Sequence, residues 1–376
     1  MEQATDHFEP VWAAGFMSGT SIDAVDAALI LTDGERVLDF GPVAERKYTP
    51  DERAALKAAT DAARQWKWTG PKPQGAFREA EDVLTRTHTD AWRQLVQGWD
   101  GPVPNIAGIH GQTVLHRPPS QEESGRTLQL LDAARVREAL GIPVAYDFRT
   151  ADVAAGGQGA PLAPAFHSAL LRNLGEEQSN AVLNLGGVAN VTYRSRDGNL
   201  LAFDTGPANG PIDEWIEAHG AGTHDTDGRI AAAGRVDEMS IDLWMDKPWF
   251  DQTGPKSLDR FDFDATLARG MSLEDGAATL TAFSAQAVAH AIRHFDDTPD
   301  NVIVCGGGRR NPQLMQELSN RLPCTVRTAE DVGWLGDSIE AQAFAFLAVR
   351  TMRGLPISWP GTTNVAQPMT GGRLTG

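Results

Sequence analysis

Two short stretches constrain this 376-residue chain more than any other feature: Asn184-Leu-Gly-Gly-Val-Ala-Asn190 and Phe203-Asp-Thr-Gly-Pro-Ala-Asn209. The apolar run Ala181-Val-Leu183 reads as a buried strand entering paired glycines. A second apolar step, residues 200–203, delivers Asp204 into a Gly-Pro turn. Gly186 and Gly187 have no Cβ, so their backbone can approach an anion closely and aim N–H groups at it. Asp204 is then an anion placed where another anion would bind. That placement makes sense if the carboxylate takes a proton, holds a metal or orients a water. The stretch reads as the reacting half of a phosphate-handling site, with Asn184 and Gly206 flanking it.

Composition narrows the partners. A formal net charge of −17, with no compensating basic block, excludes general binding to nucleic acid or to an anionic membrane. No apolar run reaches the length of a membrane span, and the acidic, polar start is unlike a secretory signal, so a cytoplasmic location is expected. Two cysteines, Cys305 and Cys324, make neither a disulfide framework nor a metal-type spacing. The length exceeds what one core usually supports. Two α/β domains are expected, 1–155 (completed by 340–376) and 156–339, with the glycine-dense loop 152–161 as a hinge or a lid.

The chain opens with a short strand at 11–14 that runs into Gly15-Phe-Met-Ser-Gly-Thr-Ser21, and strand pattern resumes at 24–30. A strand, a small polar turn and a strand can cradle phosphate without a helix N-terminus, which nominates Gly15, Ser18, Gly19, Thr20 and Ser21. Asp23 is a candidate Mg²⁺ ligand with Asp204, or a turn residue satisfied by local amides. Helical periodicity covers 51–70 and 74–98. The strand 106–109 delivers His110, Gln112 and Thr113, then His116 and Arg117, in what reads as a polar loop; Arg149 follows the strand at 144–148. Strand-end loops are where α/β proteins place substrate contacts, though histidines occur there structurally too.

The second half repeats the strand-turn-strand plan of the first. Helices are expected at 212–219, 231–246, 272–294, 312–321 and 338–350, and residues 254–257 form a loop that would sit over a substrate. The strand 301–305 ends in Gly306, Gly307 and Gly308, which invite a nucleotide against bare backbone. The chain contains neither a P-loop nor a dinucleotide fingerprint. Glycine turns at strand ends, a strand-end aspartate and two α/β halves describe a kinase that closes on ATP and a small acceptor. The tail around 370–372 reads as exposed.

Seven motifs in order resemble the anhydro-N-acetylmuramic acid kinase family from about Val11 to about Gly372. They are Gly15-Phe-Met-Ser-Gly-Thr-Ser-Ile-Asp-Ala-Val-Asp26, His110-Gly-Gln-Thr-Val-Leu-His-Arg-Pro118, Asp147-Phe-Arg-Thr-Ala-Asp-Val-Ala-Ala-Gly-Gly-Gln-Gly-Ala-Pro161, the two central stretches above, Cys305-Gly-Gly-Gly308 and Asp337-Ser-Ile-Glu-Ala-Gln-Ala-Phe344. The resemblance implies the fold shared by sugar kinases, Hsp70 and actin, with duplicated RNase-H-like domains around a central cleft. It implies ATP and Mg²⁺ as cofactors, an amino-sugar substrate, and a cytosolic homodimer active in cell-wall recycling. In the implied reaction, Asp204 activates a water that opens the 1,6-anhydro ring, and the freed O6 is phosphorylated. His110, Gln112, Thr113, His116, Arg117, Arg149 and Glu340 are the implied sugar-side residues, with Arg117 and Arg149 ranked equally for the lactyl carboxylate. Ala208 stands where the family pattern has glycine, a strain if that position needs positive φ. Residues 254–260 also depart from the family's usual loop. An ordinary sugar or polyol kinase of the same fold and a non-catalytic nucleotide or cell-wall-fragment sensor are the competing readings.

Overall fold

A computed structural model describes residues 8–19, 21–120, 122–258 and 262–376. Thr20, nominated above for phosphate, and Asp259 and Arg260 of the divergent loop lie outside the described residues. The chain divides into two units, 1–173 with 338–376, and 174–337. The break therefore falls eighteen or so residues later than expected, about the length of the loop 152–161 plus the helix after it. That loop is tied into the first unit. Asp152 accepts from the Gly159 amide and from Thr363 Oγ1, both at 2.6 Å, and the Gln158 amide donates to the Thr363 carbonyl at 2.7 Å. It is a fixed wall of the first unit, not an interdomain hinge.

The first unit runs β1 (Val11–Ser18), β2 (Ala24–Thr32), β3 (Val37–Lys47), α1 (Pro50–Trp66), α2 (Gln74–Leu95), β4 (Ile106–Ile109), β5 (Gln112–Arg117), β6 (Arg126–Leu130), α3 (Ala133–Leu140), β7 (Val144–Tyr146), α4 (Thr150–Ala154) and α5 (Pro164–Leu174). The second holds β8 (Asn180–Leu185), β9 (Val188–Arg194), β10 (Leu200–Pro207), α6 (Asn209–Ala218), α7 (Arg229–Ala233), α8 (Glu238–Met245), α9 (Leu273–Ile292), β11 (Asn301–Cys305), α10 (Pro312–Arg321) and β12 (Thr325–Thr328). The chain then returns to the first unit with α11 (Ile339–Met352), α12 (Pro360–Thr363) and β13 (Arg373–Leu374).

Among the described residues the first sheet has the order β13-β7-β4-β1-β2-β3 and the second β10-β9-β8-β11-β12. In each, three antiparallel strands in succession are extended by two parallel strands from the first of the three. The parallel strands end in turns carrying the motifs, the usual place for ligand contacts in such sheets. The tail is not loose: β13 pairs with β7, and a Cβ on Gly371 would lie 2.6 Å from Ile357 Cδ1.

Several helices begin at a side-chain cap. Thr49 and Glu52 form a capping box at α1, and the Ser272 hydroxyl caps α9 through the Asp275 amide. The helix expected over 231–246 is two short helices, because Gly234 packs against the backbone of α9, a Cβ there falling 2.0 Å from Glu274 O, and Asp237 starts a new cap. No helix among the described residues is long and apolar enough to cross a membrane.

One packing feature sets the first unit's geometry. Gly15 and Gly108 are paired neighbours on β1 and β4, and α11 lies directly on them. A Cβ on Gly15 would fall 1.9 Å from Ala341 O, and one on Gly108 2.0 Å from Phe344 O. The helix approaches closer than any side chain allows, and its Ala341, Ala345 and Ala348 are all fully buried. Gly15 was nominated for phosphate; it lies mid-strand beneath a helix, and its missing side chain is explained by packing. β1 accordingly extends through Ser18 where the sequence had suggested a turn after Ala14.

Candidate active site

In the second unit, the Gly186–Gly187 turn between β8 and β9 is stapled to the start of α6. The amides of Ala208 and Gly210 donate to the Gly187 carbonyl and that of Asn209 to the Gly186 carbonyl, each at 3.0 Å. The Asn209 side chain adds bonds to the carbonyls of Leu185 at 3.0 Å and Gly186 at 2.9 Å. With their carbonyls engaged, the glycines present their other side to open space: a Cβ on Gly187 would meet nothing within 4 Å, and one on Gly186 only Val188 O at 3.4 Å. Gly307 is equally open. Gly306, at φ +75°, and Gly308 are instead crowded by Asn184 Oδ1 and Leu185 Cβ, and Gly206 by Ala287 of α9. These three shape the turns; Gly186, Gly187 and Gly307 leave the room. Ala208 sits at φ −128°, outside the positive-φ region that would call for glycine.

A cavity of about 380 Å³ opens beside these turns. Gly307, Arg310 and Asn311 line it from the β11–α10 side, and Asn209, Asp213 and His224 from the α6 side. Burial pushes the Asp213 carboxyl up to about 6, with His224 opposing and Glu217, Asp225 and Glu214 adding to the rise. Asp213 and His224 carry no motif, and nothing in the sequence marked them.

Asp204 lies near the end of β10, where the pairing with β9 slips between Asp204 and Gly206. Such a bulge re-aims a side chain out of the alternating pleat. Its amide donates to the Lys256 carbonyl at 2.9 Å, and its Oδ2 accepts from the Leu258 amide at 2.8 Å. Burial pushes this carboxyl up to about 6, against the Leu258 amide and the Lys256 ammonium. It is therefore ionised at neutral pH yet still able to take a proton, the balance that general base catalysis needs.

In the first unit, Arg149 and His110 form one polar cluster. The guanidinium Nε and Nη2 lie 3.1 and 3.0 Å from His110 Nε2, and Nη1 donates to the Gly159 carbonyl at 2.7 Å. Burial, then the Arg149 charge, push the His110 imidazole down to about 3. It is a neutral imidazole at neutral pH: Nε2 accepts from the arginine and aims it, the one ring proton sits on Nδ1, and the ring carries no positive charge. Burial lowers Arg149 to about 10, with Glu340 and Asp152 opposing. Glu340 keeps solvent access but is crowded by protein, which raises its carboxyl against the pull of Arg149. Thr113 Oγ1 lies 3.3 Å from His110 Nε2, and burial and Arg149 also lower the pKa of His116. His110 additionally lines a cavity of about 240 Å³ with Gln129, Tyr146 and Asp147; none of the other nominated sugar-side residues does.

Four nominated residues have surroundings other than those expected. His116 and Arg117 are on β5 of a two-stranded ribbon with β6, where a loop was expected. Arg117 is spent within the ribbon: it pairs with Glu123 at 2.5 Å, donates to Ser124 O and lies over the Trp68 ring. Gln112 braces the turn after β1, accepting from Ser18 Oγ at 2.8 Å and donating to the Gly19 carbonyl at 3.3 Å. Asp23 is exposed and paired with Arg53 at 2.8 Å. Among the described residues no three His, Cys, Asp or Glu side chains gather as a metal cage. The two arginines thus differ in surroundings: Arg149 is aimed by His110 and Gly159, while Arg117 is paired with Glu123. Arg149→Ala is expected to raise the sugar KM roughly 10–100-fold, the worth of a charged hydrogen bond, with the ATP KM unchanged. Arg117→Ala should leave the sugar KM within about twofold, because its charge is already matched on the surface. Steady-state kinetics with each substrate varied in turn decides this.

The family described as anhydro-N-acetylmuramic acid kinase matches residues 12–375. Relatives of that description include one from Rhizobium rhizogenes, 51% identical over 97% of this chain and 99% of its own length. Another, from Caulobacter vibrioides, is 52% identical over 96% of this chain and 98% of its own. A solved ROK family glucokinase from Streptomyces griseus, with glucose and AMPPNP, covers 90% of this chain and 99% of its own at 14% identity and a TM-score of 0.41, too slight a likeness to argue from. The match along almost the whole chain agrees with the ordered motifs and the strand-end carboxylate: this chain belongs to the anhydro-N-acetylmuramic acid kinase family.

Proposed function

We propose that this chain carries out the reaction of its family with Asp204 as general base: hydrolytic opening of the 1,6-anhydro ring of 1,6-anhydro-N-acetylmuramic acid, coupled to phosphorylation of O6 by ATP. A water loses its proton to Asp204 as its oxygen bonds to the anomeric carbon. The C1–O6 bond breaks, and O6 takes the γ-phosphoryl group, giving N-acetylmuramic acid 6-phosphate and ADP. Positive charge develops at the anomeric carbon and negative charge at O6, so a carboxylate on one side and preorganised donors on the other stabilise one transition state. The observation that carries the reading is the bulge-borne, half-buried Asp204 with one oxygen held by a backbone amide.

The second unit supplies nucleotide contacts: Gly186, Gly187 and Gly307 offer open backbone, and the cavity by Asp213 and Arg310 suits a nucleoside. Ser18, Gly19 and Ser21 contact the transferring phosphoryl group. Arg149 binds the lactyl carboxylate, aimed by His110 and supported by Glu340. Mg²⁺, when bound, neutralises the phosphates while keeping several waters. That demand is compatible with Asp204 as a carboxylate toward its water shell, and with Asp23, whose exposed pair with Arg53 is weak enough to exchange. The matching order and direction of strands in the two sheets supports duplicated RNase-H-like domains of the sugar kinase, Hsp70 and actin kind. We further propose a cytoplasmic homodimer, on the family resemblance alone.

The pH dependence tests the base. Asp204 must be ionised to accept the proton, so kcat/KM for the anhydro sugar should fall about tenfold per pH unit below about 6. It should level above that value, and the acid limb should vanish in Asp204→Asn. A flat profile from pH 5 to 8 would remove Asp204 from the role.

A further inference from the structure

We propose that Lys256 is a positioning residue for this reaction, locking the segment 249–258 into a clamp that fixes the Asp204 carboxylate; the proposal rests on Asp204 being the base. A lysine is rarely buried unless its charge is matched, yet Lys256 is only 8% exposed. Its ammonium donates to the backbone carbonyls of Trp249 and Phe250, each at 3.0 Å. It also lies 4.3 Å from the centre of the Trp249 ring and 5.7 Å from that of Phe203, the residue before Asp204. Phe250 is itself buried among Phe263 and Phe283, so the carbonyls that Lys256 grips are anchored in the core of the second unit.

The other end of the clamp is the catalytic carboxylate. The Lys256 carbonyl accepts from the Asp204 amide, and the Leu258 amide, two residues on, donates to Asp204 Oδ2. One side chain thus closes a loop whose backbone holds Asp204 at both its main chain and its carboxylate. Burial pushes the ammonium down to about 8, with Asp251 and Asp204 opposing, which agrees with a charge kept for its contacts and withdrawn from water. Lys256 does not reach the reacting atoms in this account; it acts through Asp204. The surrounding loop departs from the family's usual residues on both sides of it, and the clamp uses main-chain groups that those departures leave intact.

Replacing the ammonium by a thioether of similar length separates positioning from bulk packing. Lys256→Met in the full-length enzyme is expected to lower kcat about 10–100-fold, as a misplacement of the order of an ångström does. Both KM values should stay within about threefold. In an Asp204→Asn background the same change should cost nothing more, because the group it positions is already gone. Should Lys256→Met not fold, Lys256→Gln, which keeps a donor for one carbonyl, is expected to show a smaller loss of kcat with the same non-additivity. A kcat within twofold of wild type, or a loss that multiplies undiminished in the Asp204→Asn background, overturns the role of Lys256. Near-normal turnover of Asp204→Asn alone overturns the base assignment and this proposal together, so the two failures are told apart.

Discussion

Asp204→Asn is expected to keep the fold and the nucleotide affinity while losing roughly 10²–10⁴-fold in kcat, the usual contribution of a positioned base. Asparagine still offers an oxygen to the Leu258 amide, so the loop contact at 2.8 Å survives. What disappears is the proton acceptor. Stability should move the other way. Burial raises the folded-state pKa of Asp204 to about 6, above the unfolded value. The folded state therefore holds this proton more tightly, and the advantage, complete below the unfolded pKa, is lost as pH rises through about 6. At neutral pH the ionised carboxylate costs the folded state on the order of 1–3 kcal/mol. The uncharged variant should match or exceed the wild-type melting temperature, whereas a structural aspartate would leave a less stable protein. Thermal melts beside coupled ADP-release kinetics distinguish the cases.

Gly15→Ala is expected to be the most damaging small substitution in the first unit. Its methyl would meet two backbone atoms of α11, Ala341 O at 1.9 Å and Ala345 N at 2.3 Å, and neither can turn aside as a side chain would. The helix has to lift from β1, opening a core whose neighbours include fully buried Phe16, Phe346 and Leu347. Overpacking usually costs about 1–3 kcal/mol, and a clash with backbone belongs at or beyond the upper end. The melting temperature should drop by about 6–12 °C, or the protein should fail to accumulate in soluble form. Gly19→Ala is the control. Its added methyl meets only Ser21 Oγ at 3.7 Å, so stability should stay within about 0.5 kcal/mol while phosphate handling suffers. Equal melting temperatures for wild type and Gly15→Ala would contradict the packing account.

These two glycines show what a sequence carries and what it hides. Both sit in one motif, and spacing alone assigned both to phosphate; only the register of β1 against β4 and the closeness of α11 separate them. The long helical stretches, the apolar strands and the strand-end position of Asp204 were legible because they are local. The helical periodicity from residue 51, the long helix from residue 272 and the apolar run entering Gly186 each announce themselves within a few residues. Partners distant in the chain were not legible. Arg117 and Arg149 look alike until Glu123 and Trp68 are found around the first and His110 around the second. The anchoring of the loop 152–161 depends on Thr363, some two hundred residues further on. Lys256 stood in a loop already suspected of facing substrate, but its burial and its carbonyl partners had no signature in the sequence.

The most direct test of the account is a ternary crystal structure with the anhydro sugar and a non-hydrolysable ATP analogue. A water should be hydrogen-bonded to the Asp204 carboxylate at about 2.6–3.2 Å and stand opposite the C1–O6 bond, with the terminal phosphate on the O6 side. A complex in which Asp204 faces only the Leu258 amide and another group holds the water at the anomeric carbon would contradict it.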